Sequence, residues 1–252
     1  MDHPTIRPPA ANTAYRPRIA DLPPPVSLTR LDRASPQRRE AESYVRGAFA
    51  HRYRAQIHEL PECLMALRRA SGELTAVAGL RCAAEAPLFL EQYLDGPVES
   101  YLGPPGGVGR GTLVEIGSLA APTPGQVRYM MIALATYLHS AGYQWVVCTA
   151  ISSLRNTLAR MGLTPILLGA ADPARLGAAA ADWGRYYEER PQVIAGHLGE
   201  AAALLEARAS HREHPVGDLW RSARELGMRH GTAQPAVHGT FPAAPMNGSI
   251  SA

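Results

Sequence analysis

The sequence predicts an α/β fold with a locally parallel sheet, and three observations carry that prediction. Residues 112–168 read as strand, helix, strand, helix, strand, with every boundary marked. Strands that alternate with helices imply crossover connections between parallel neighbours. Earlier, 62–69 and 73–81 are two β-forming runs around Ser71-Gly72, the signal of an antiparallel hairpin. Finally, the 252-residue length and 46% apolar content suffice for one good-sized domain with tails.

Taken in order, residues 1–30 form a Pro-rich arm without regular structure, because proline blocks helix and donates no backbone hydrogen bond. Ser35-Pro36 opens a helix that runs to about Tyr53, with Ala41, Tyr44, Val45, Ala48 and Phe49 on its apolar side. The hairpin follows. Residues 88–94 (LFLEQYL) read as a strand or a short helix, ended by Asp95-Gly96-Pro97. Residues 103–111 (GPPGGVGRG) form a Gly/Pro loop. It lacks the GxxxxGK[ST] pattern, and no strand leads into a GxGxxG, so it does not read as a nucleotide-binding loop.

The strand at 112–120 alternates: Val114 and Ile116 point one way, Leu113, Glu115, Gly117 and Leu119 the other. Gly117 marks a bulge or a close backbone approach. Thr123-Pro124-Gly125-Gln126 has the form of a capping box. Val127, Met130, Met131, Leu134 and Leu138 continue at helical spacing to Gly142, where a left-handed cap is expected. Residues 144–150 are a short buried strand. Ser152 or Ser153 caps a second helix with Leu154, Leu158 and Met161 on one face and Gly162 at its end; 163–168 is the next strand. An Ala-rich helix at 172–181, a last strand at 192–198 and a helix at 201–209 complete the domain, 31–210. Residues 211–252 are polar, then rich in Pro, Gly and Ser, and read as a mostly disordered tail.

The 25 cationic residues are all Arg and are scattered. With a net charge of +3, no basic stripe of the kind nucleic acid requires is visible. Cys63, Cys82 and Cys148 form no CxxC pair and read as buried thiols in a reducing compartment; the alternative is a catalytic thiol. The pair His211 and His214 lacks a third ligand, so no metal site is expected. The N-terminal segment has no apolar signal core, and no run reaches the roughly 18 apolar residues of a membrane span. A cytoplasmic location is the expectation, which leaves peripheral membrane contact open.

Glu115 is the outstanding candidate: a carboxylate on a core strand just before a helix N-terminus. Two readings stay open for it, a general base whose pKa burial raises, or half of an ion pair with Arg81 or Arg128.

The order of elements, together with the segments AVAGLR, PLFLEQYLDGPVE, LVEIGSLAA, YLHSAGYQWVVCTA, LRNTLARMGL and WGRYYEERPQVIAGHL, resembles the family called thermostable hemolysin. The likeness covers residues 38–200. It implies a GNAT-like fold, similar to acyl-homoserine-lactone synthases and long-chain N-acyl amino acid synthases. That fold is a mixed, mostly antiparallel central sheet with a V-shaped splay between strands 4 and 5 and helices on both faces. The implied activity is N-acyl transfer from acyl carrier protein or acyl-CoA to an amine of a small acceptor such as an amino acid, with no permanently bound cofactor.

On this resemblance the thioester arm lies in the splay against Gly117, Ser118, Leu119 and Ala120, with Thr123, Gly125 and Asn156 at the two helix starts. Glu115 matches a glutamate of the synthases, followed here by Gly117-Ser118 where they have Ser-Arg, and Arg81 matches an arginine. Arg81, Glu91 and Gln92 are the acceptor-site candidates, and Tyr187 is the candidate acid for the leaving thiolate. Trp183, Tyr186 and Tyr187 read either as an acyl tunnel or as core. Bland readings stand beside these: Arg81 paired with Glu85 or Asp95, Glu91 and Gln92 as edge-strand polar residues, and Asn156 as a solvated helix residue. The resemblance departs at Ala120–Gly125, where two prolines replace the basic residue and glycines that hold CoA pyrophosphate, so weak binding of free CoA is expected. Two other classes remain: a membrane-active lytic protein, which needs a long amphipathic segment or barrel hairpins, and an inactive GNAT-like binding module.

Overall fold

The computed structural model describes residues 24–104, 106–209 and 216–231. The arm before residue 24, His211 and His214, and the tail after 231 lie outside the described residues. A seven-stranded sheet runs in the order β1-β2-β3-β4-β5-β7-β6. Its strands are β1 Ser27–Leu31, β2 Cys63–Arg68, β3 Leu74–Cys82, β4 Leu113–Ala120, β5 Trp145–Ala150, β6 Ile166–Ala170 and β7 Gln192–His197. Only β4 and β5 pair in parallel; every other neighbour is antiparallel. The expected parallel run is therefore one pair long. The strand after the second crossover does not join β5, because β7 inserts between them.

One face is covered by α2 (Pro124–Ser140), α3 (Ser152–Arg160), α4 (Leu198–Ala209) and α5 (Gly217–Gly231). Val114, Ile116, Met130, Leu134 and Leu138 form the centre of that core. The other face carries α1 (Arg38–Tyr53) and the 3₁₀ turns that follow β3 and β6. Helices thus sit on both faces, as expected. Arg38 is buried at the start of α1 and donates to the Leu31 and Pro61 carbonyls, which ties β1 and the entry to β2 to the helix.

Four boundaries differ from the sequence reading. Residues 27–30, counted there in the structureless arm, belong to β1, which pairs with β2. Residues 172–181 are not an α-helix: Gly177 takes φ +56, ψ −132 and breaks the run into 3₁₀ turns. The strand expected at 163–168 lies at Ile166–Ala170, after the Thr164-Pro165 corner. The stretch expected to be tail contains α5, whose Leu219, Ala223 and Gly227 are buried against α2 and β1. A Cβ on Gly227 would collide with the Tyr137 carbonyl, so the two helices cross at a distance only glycine allows. Ser222 Oγ accepts from the Leu28 amide at 3.2 Å.

Candidate active site

The parallel pairing of β4 and β5 runs from Leu113–Trp145 to Ile116–Cys148 and stops there. Beyond it β4 stays with β3 through a bulge: Gly79 faces Gly117 and Val77 faces Ala120, leaving one extra residue on β4. Ser118 takes φ +50 inside the bulge. The sequence placed the irregularity at Gly117; the left-handed residue is its neighbour. The two strands therefore splay apart after residues 116 and 148, and the splay gives the two faces of the sheet different surroundings.

On one face lies a partly open cavity of about 320 Å³. Ile116 and Cys148 form its floor, Met131 and Leu134 of α2 one wall, Leu158 and Leu163 another, with Ala201 and Leu204 of α4 opposite. Val127 and Met131 of α2 pack with Leu154 and Leu158 of α3 at its side. The Cys148 thiol is pushed up to about 12 by burial and by the nearby Glu115, so it stays protonated and behaves as lining. Cys63 is likewise raised by burial, and all three cysteines are free thiols.

On the opposite face Glu115 is 2% exposed. Its oxygens accept from the Phe89 amide at 2.8 Å and the Leu90 amide at 3.2 Å. Arg81, directly across the ladder on β3, brings its guanidinium to 3.7 Å. The ion-pair partner is thus Arg81 and not Arg128, which is exposed on α2. Burial pushes the Glu115 carboxyl above its ordinary range, opposed by Arg81 and the two amides. Arg81 is itself half-exposed and stacks over the Phe89 ring at 5.7 Å. No atom lies within 4 Å of where a Cβ on Gly117 would stand, so there is open space on the sheet beside Arg81 and Glu115.

Aromatic rings wall that space. Phe89 meets Trp183 at 5.4 Å, Trp183 meets Tyr186 at 5.4 Å, and Tyr187 meets Tyr93 at 6.4 Å between centroids. Trp183, Tyr186 and Tyr187 therefore stand on the Glu115 face and do not line the cavity on the other. Tyr186 donates to the Thr149 carbonyl at 3.4 Å, and the Tyr187 and Tyr93 hydroxyl oxygens are 2.5 Å apart. The Thr149 hydroxyl is buried and has no partner among the described residues, an exception to the rule that buried polar atoms are satisfied.

The acceptor candidates divide. Arg81 faces the cleft, whereas Glu91 is drawn into a separate network. Glu91 accepts from the Leu88 and Val98 amides at 2.8 and 3.0 Å and from Arg110 at 2.8 Å, and Arg110 also reaches Glu99 at 2.7 Å. Burial raises the Glu91 carboxyl, but the hydrogen bonds from Arg110, Val98 and Leu88 outweigh it and hold the group below the ordinary carboxylate range. Glu91 and Arg110 do border a wider surface groove of about 690 Å³, yet each already holds the other. Gln92 is exposed and donates to the Phe89 carbonyl. The 88–94 segment is a 3₁₀ turn, Phe89–Tyr93, and not an edge strand. Asp95, the other partner considered for Arg81, pairs with Arg175.

Of the thioester candidates, Gly117, Ser118, Leu119 and Ala120 form the part of β4 that leaves β5. Thr123 caps α2 by accepting from the Gln126 amide at 3.3 Å. Its carbonyl takes the Val127 amide, and Pro124 has none, so Gly125 alone keeps a free amide in that first turn among the described residues. The anion site expected at this helix start is correspondingly poor. Asn156 is exposed on α3, whose N-cap is Ile151, without the side-chain cap expected from Ser152 or Ser153.

Sequence reasoning missed Tyr93, Thr149 and the cavity. Thr149 had a faint signal, as the one hydroxyl in the run WVVCTA. Among the described residues no group of three or more His, Cys, Asp or Glu side chains is arranged to hold a metal, and no helix is long and apolar enough to cross a membrane.

A mixed sheet with one parallel pair that splays beside a β-bulge, and helices on both faces, is a GNAT-like fold. Residues 31–202 match the family model described as thermostable hemolysin, and the chain belongs to that family. No curated protein gives a match. Among solved structures, the acyl-homoserine-lactone synthase LasI aligns at 13% identity over 68% of this chain and 88% of its own, with a TM-score of 0.48. FeeM, an N-acyl amino acid synthase from uncultured soil microbes, aligns at 14% identity over 72% and 96%, TM-score 0.47. TofI, solved in a ternary complex with an inhibitor and MTA, aligns at 17% over 71% and 96%, TM-score 0.46.

Proposed function

We propose that the protein is an N-acyltransferase that moves a long acyl chain from a thioester to the amine of a small carboxylate-bearing acceptor, such as an amino acid. The observation that carries this reading is the parting of β4 and β5 after Ile116 and Cys148, with a partly open, mostly apolar cavity on one side and a half-exposed arginine on the other. An acyl chain fits the first by burying methylenes. A carboxylate fits the second, because a guanidinium donates two parallel hydrogen bonds to it. Between them the thioester carbonyl lies in the splay, where Thr149 has a hydroxyl without a partner.

In this reading Glu115 is a positioning residue. It is sealed from solvent, and it holds the Phe89–Leu90 turn and Arg81 in place. Tyr187 is the acid for the departing sulfur. The donor is favoured as a carrier-protein thioester over free CoA, because the start of α2 has so few amides to give a phosphate. The free thiols suit a cytoplasmic location.

The test is to incubate purified protein with long-chain acyl thioesters, on carrier protein and on CoA, and a mixture of amino acids, and to look for amide products by mass spectrometry. Acyl amides dependent on both substrates are the expected result; their absence with every donor overturns the reading. Lipid-free protein should also fail to release dye from liposomes at micromolar concentration. Rapid release without any thioester would favour direct membrane activity.

A further inference from the structure

We propose that Tyr93 is a positioning residue for acyl transfer: its hydroxyl donates to Tyr187 and so aims the Tyr187 proton at the leaving sulfur. The inference rests on the acyltransferase reading of the cleft.

Three observations support it. Tyr187 packs against both hydrophobic clusters on the Glu115 face, the one built on β2–β4 that includes Ala120 and the one that includes Val147 and Val193 of β5 and β7. It therefore bridges the two halves of the sheet where β4 and β5 diverge. The two phenol oxygens are 2.5 Å apart, which couples the hydroxyls into one unit. The environments also differ: Tyr93 is 4% exposed and Tyr187 is half-buried.

A phenol sealed in the core must give its proton to the partner it has. For Tyr93 that partner is Tyr187. With Tyr93 as donor, the proton of Tyr187, the less buried of the two, is left free for another acceptor. The arrangement also favours the phenolate of Tyr187 over that of Tyr93: burial raises both, but the shared hydrogen bond lowers Tyr187 and raises Tyr93 further. Glu115 of β4 and Tyr186 are the other titratable groups acting on Tyr93, and both oppose its ionisation.

The step balances within the cleft. The acceptor nitrogen adds to the thioester carbonyl, and the carbon–sulfur bond breaks with its electron pair passing to sulfur. Tyr187 gives its proton to that sulfur, and the thiol leaves. The transient Tyr187 phenolate, held by the Tyr93 hydrogen bond, takes the proton that the nitrogen loses as the amide forms. The acceptor enters as the neutral amine, its ammonium proton lost to solvent before it binds; from there one proton leaves nitrogen and one reaches sulfur, and no oxidant is needed.

The test is a double-mutant cycle of Tyr93→Phe and Tyr187→Phe, measured with an alkyl thioester and with an aryl thioester of the same acyl chain. An aryl thiolate leaves without a proton, so it bypasses the acid. Tyr187→Phe should lower kcat on the alkyl thioester by about 10²-fold or more. Tyr93→Phe should lower it about 10-fold with KM little changed. The double variant should be no worse than Tyr187→Phe, and both deficits should shrink on the aryl donor. Equal loss on both donors, or a double variant that multiplies the two effects, would overturn the proposal, because a packing role is blind to the leaving group. If Tyr187→Phe keeps full activity while Tyr93→Phe loses it, Tyr93 does not act through Tyr187, and the proposal fails although the acyltransferase reading stands. If the wild type forms no amide from either donor, both fall together.

Discussion

On the Glu115 face of the splay, charged groups are tied to backbone. Glu115 holds two amides and faces Arg81, and Glu91 holds two more amides and Arg110. On the Cys148 face there is a void lined mostly by apolar side chains from three helices and the sheet. One sheet thus separates a cleft that holds Arg81 from a mostly apolar cavity, and on the proposed acyltransferase reading the two would select their ligands differently. A hydrogen-bonding site rejects wrong ligands sharply, whereas an apolar pocket discriminates weakly per methylene. Specificity for the acceptor is expected to be strict and specificity for the acyl chain graded.

The largest expected effect comes from filling the cavity. Cys148→Phe places a ring on its floor, and turnover of long-chain thioesters should fall on the order of 10²-fold while short-chain donors keep most of their rate. Overpacking should cost only about 1–3 kcal/mol of stability, to be checked by denaturant melts. Equal loss for every chain length would mean that the cavity is not the acyl site. Next, Arg81→Ala should raise KM for a carboxylate acceptor by about 10–10²-fold and leave an acceptor lacking the carboxylate unaffected.

Glu115→Gln sharpens the comparison from the structural side. Glutamine can accept from one turn amide but presents an NH₂ to the other, so a buried amide goes unpaired at a cost of about 1–3 kcal/mol. The expected result is a lower melting temperature with turnover per folded molecule changed only a few-fold. A stable variant that loses 10²–10⁴ in rate would instead make Glu115 a base, which sequence reasoning left open.

The smallest effect is a pH dependence. Glu91 is held below the ordinary carboxylate range in the folded state, so its network contributes stability that is fully present above the unfolded carboxyl's ordinary pKa and is lost as pH falls through the lower folded value. Hydrogen exchange of the Val98 and Leu88 amides should accelerate in that acid window, beyond the trend of the rest of the sheet. In Glu91→Gln the extra acceleration should vanish.

Much of this frame is legible in the sequence because it is local. Alternation on β4 exposed Glu115 as misplaced, and Thr123-Pro124 and Gly142 marked the ends of α2. The α5 helix escaped because its apolar residues Leu219, Trp220, Ala223 and Leu226 sit in a polar stretch followed by Pro and Gly, and only packing on α2 and β1 gives them a use. The break at Gly177 escaped for the opposite reason: alanines around it promise a helix, and a single backbone dihedral overrules them. Glu91 and Glu115 look alike in sequence, yet one faces the cleft's arginine and the other a distant Arg110, a difference set by tertiary contacts. The cavity was out of reach altogether, since a void belongs to no residue.

The contact between Ser222 and Leu28 has a consequence for how the chain is made. Among the described residues β1 is the first strand to be synthesised and α5, which covers it, is the last helix, the bonded residues lying 194 positions apart. Until α5 has left the ribosome, β1 and the outer side of α2 keep an uncovered apolar surface. Contacts of such long sequence separation form slowly and leave partly folded chains prone to aggregate. The described domain can therefore close only after translation has passed Gly231, which makes α5 a late lock on β1.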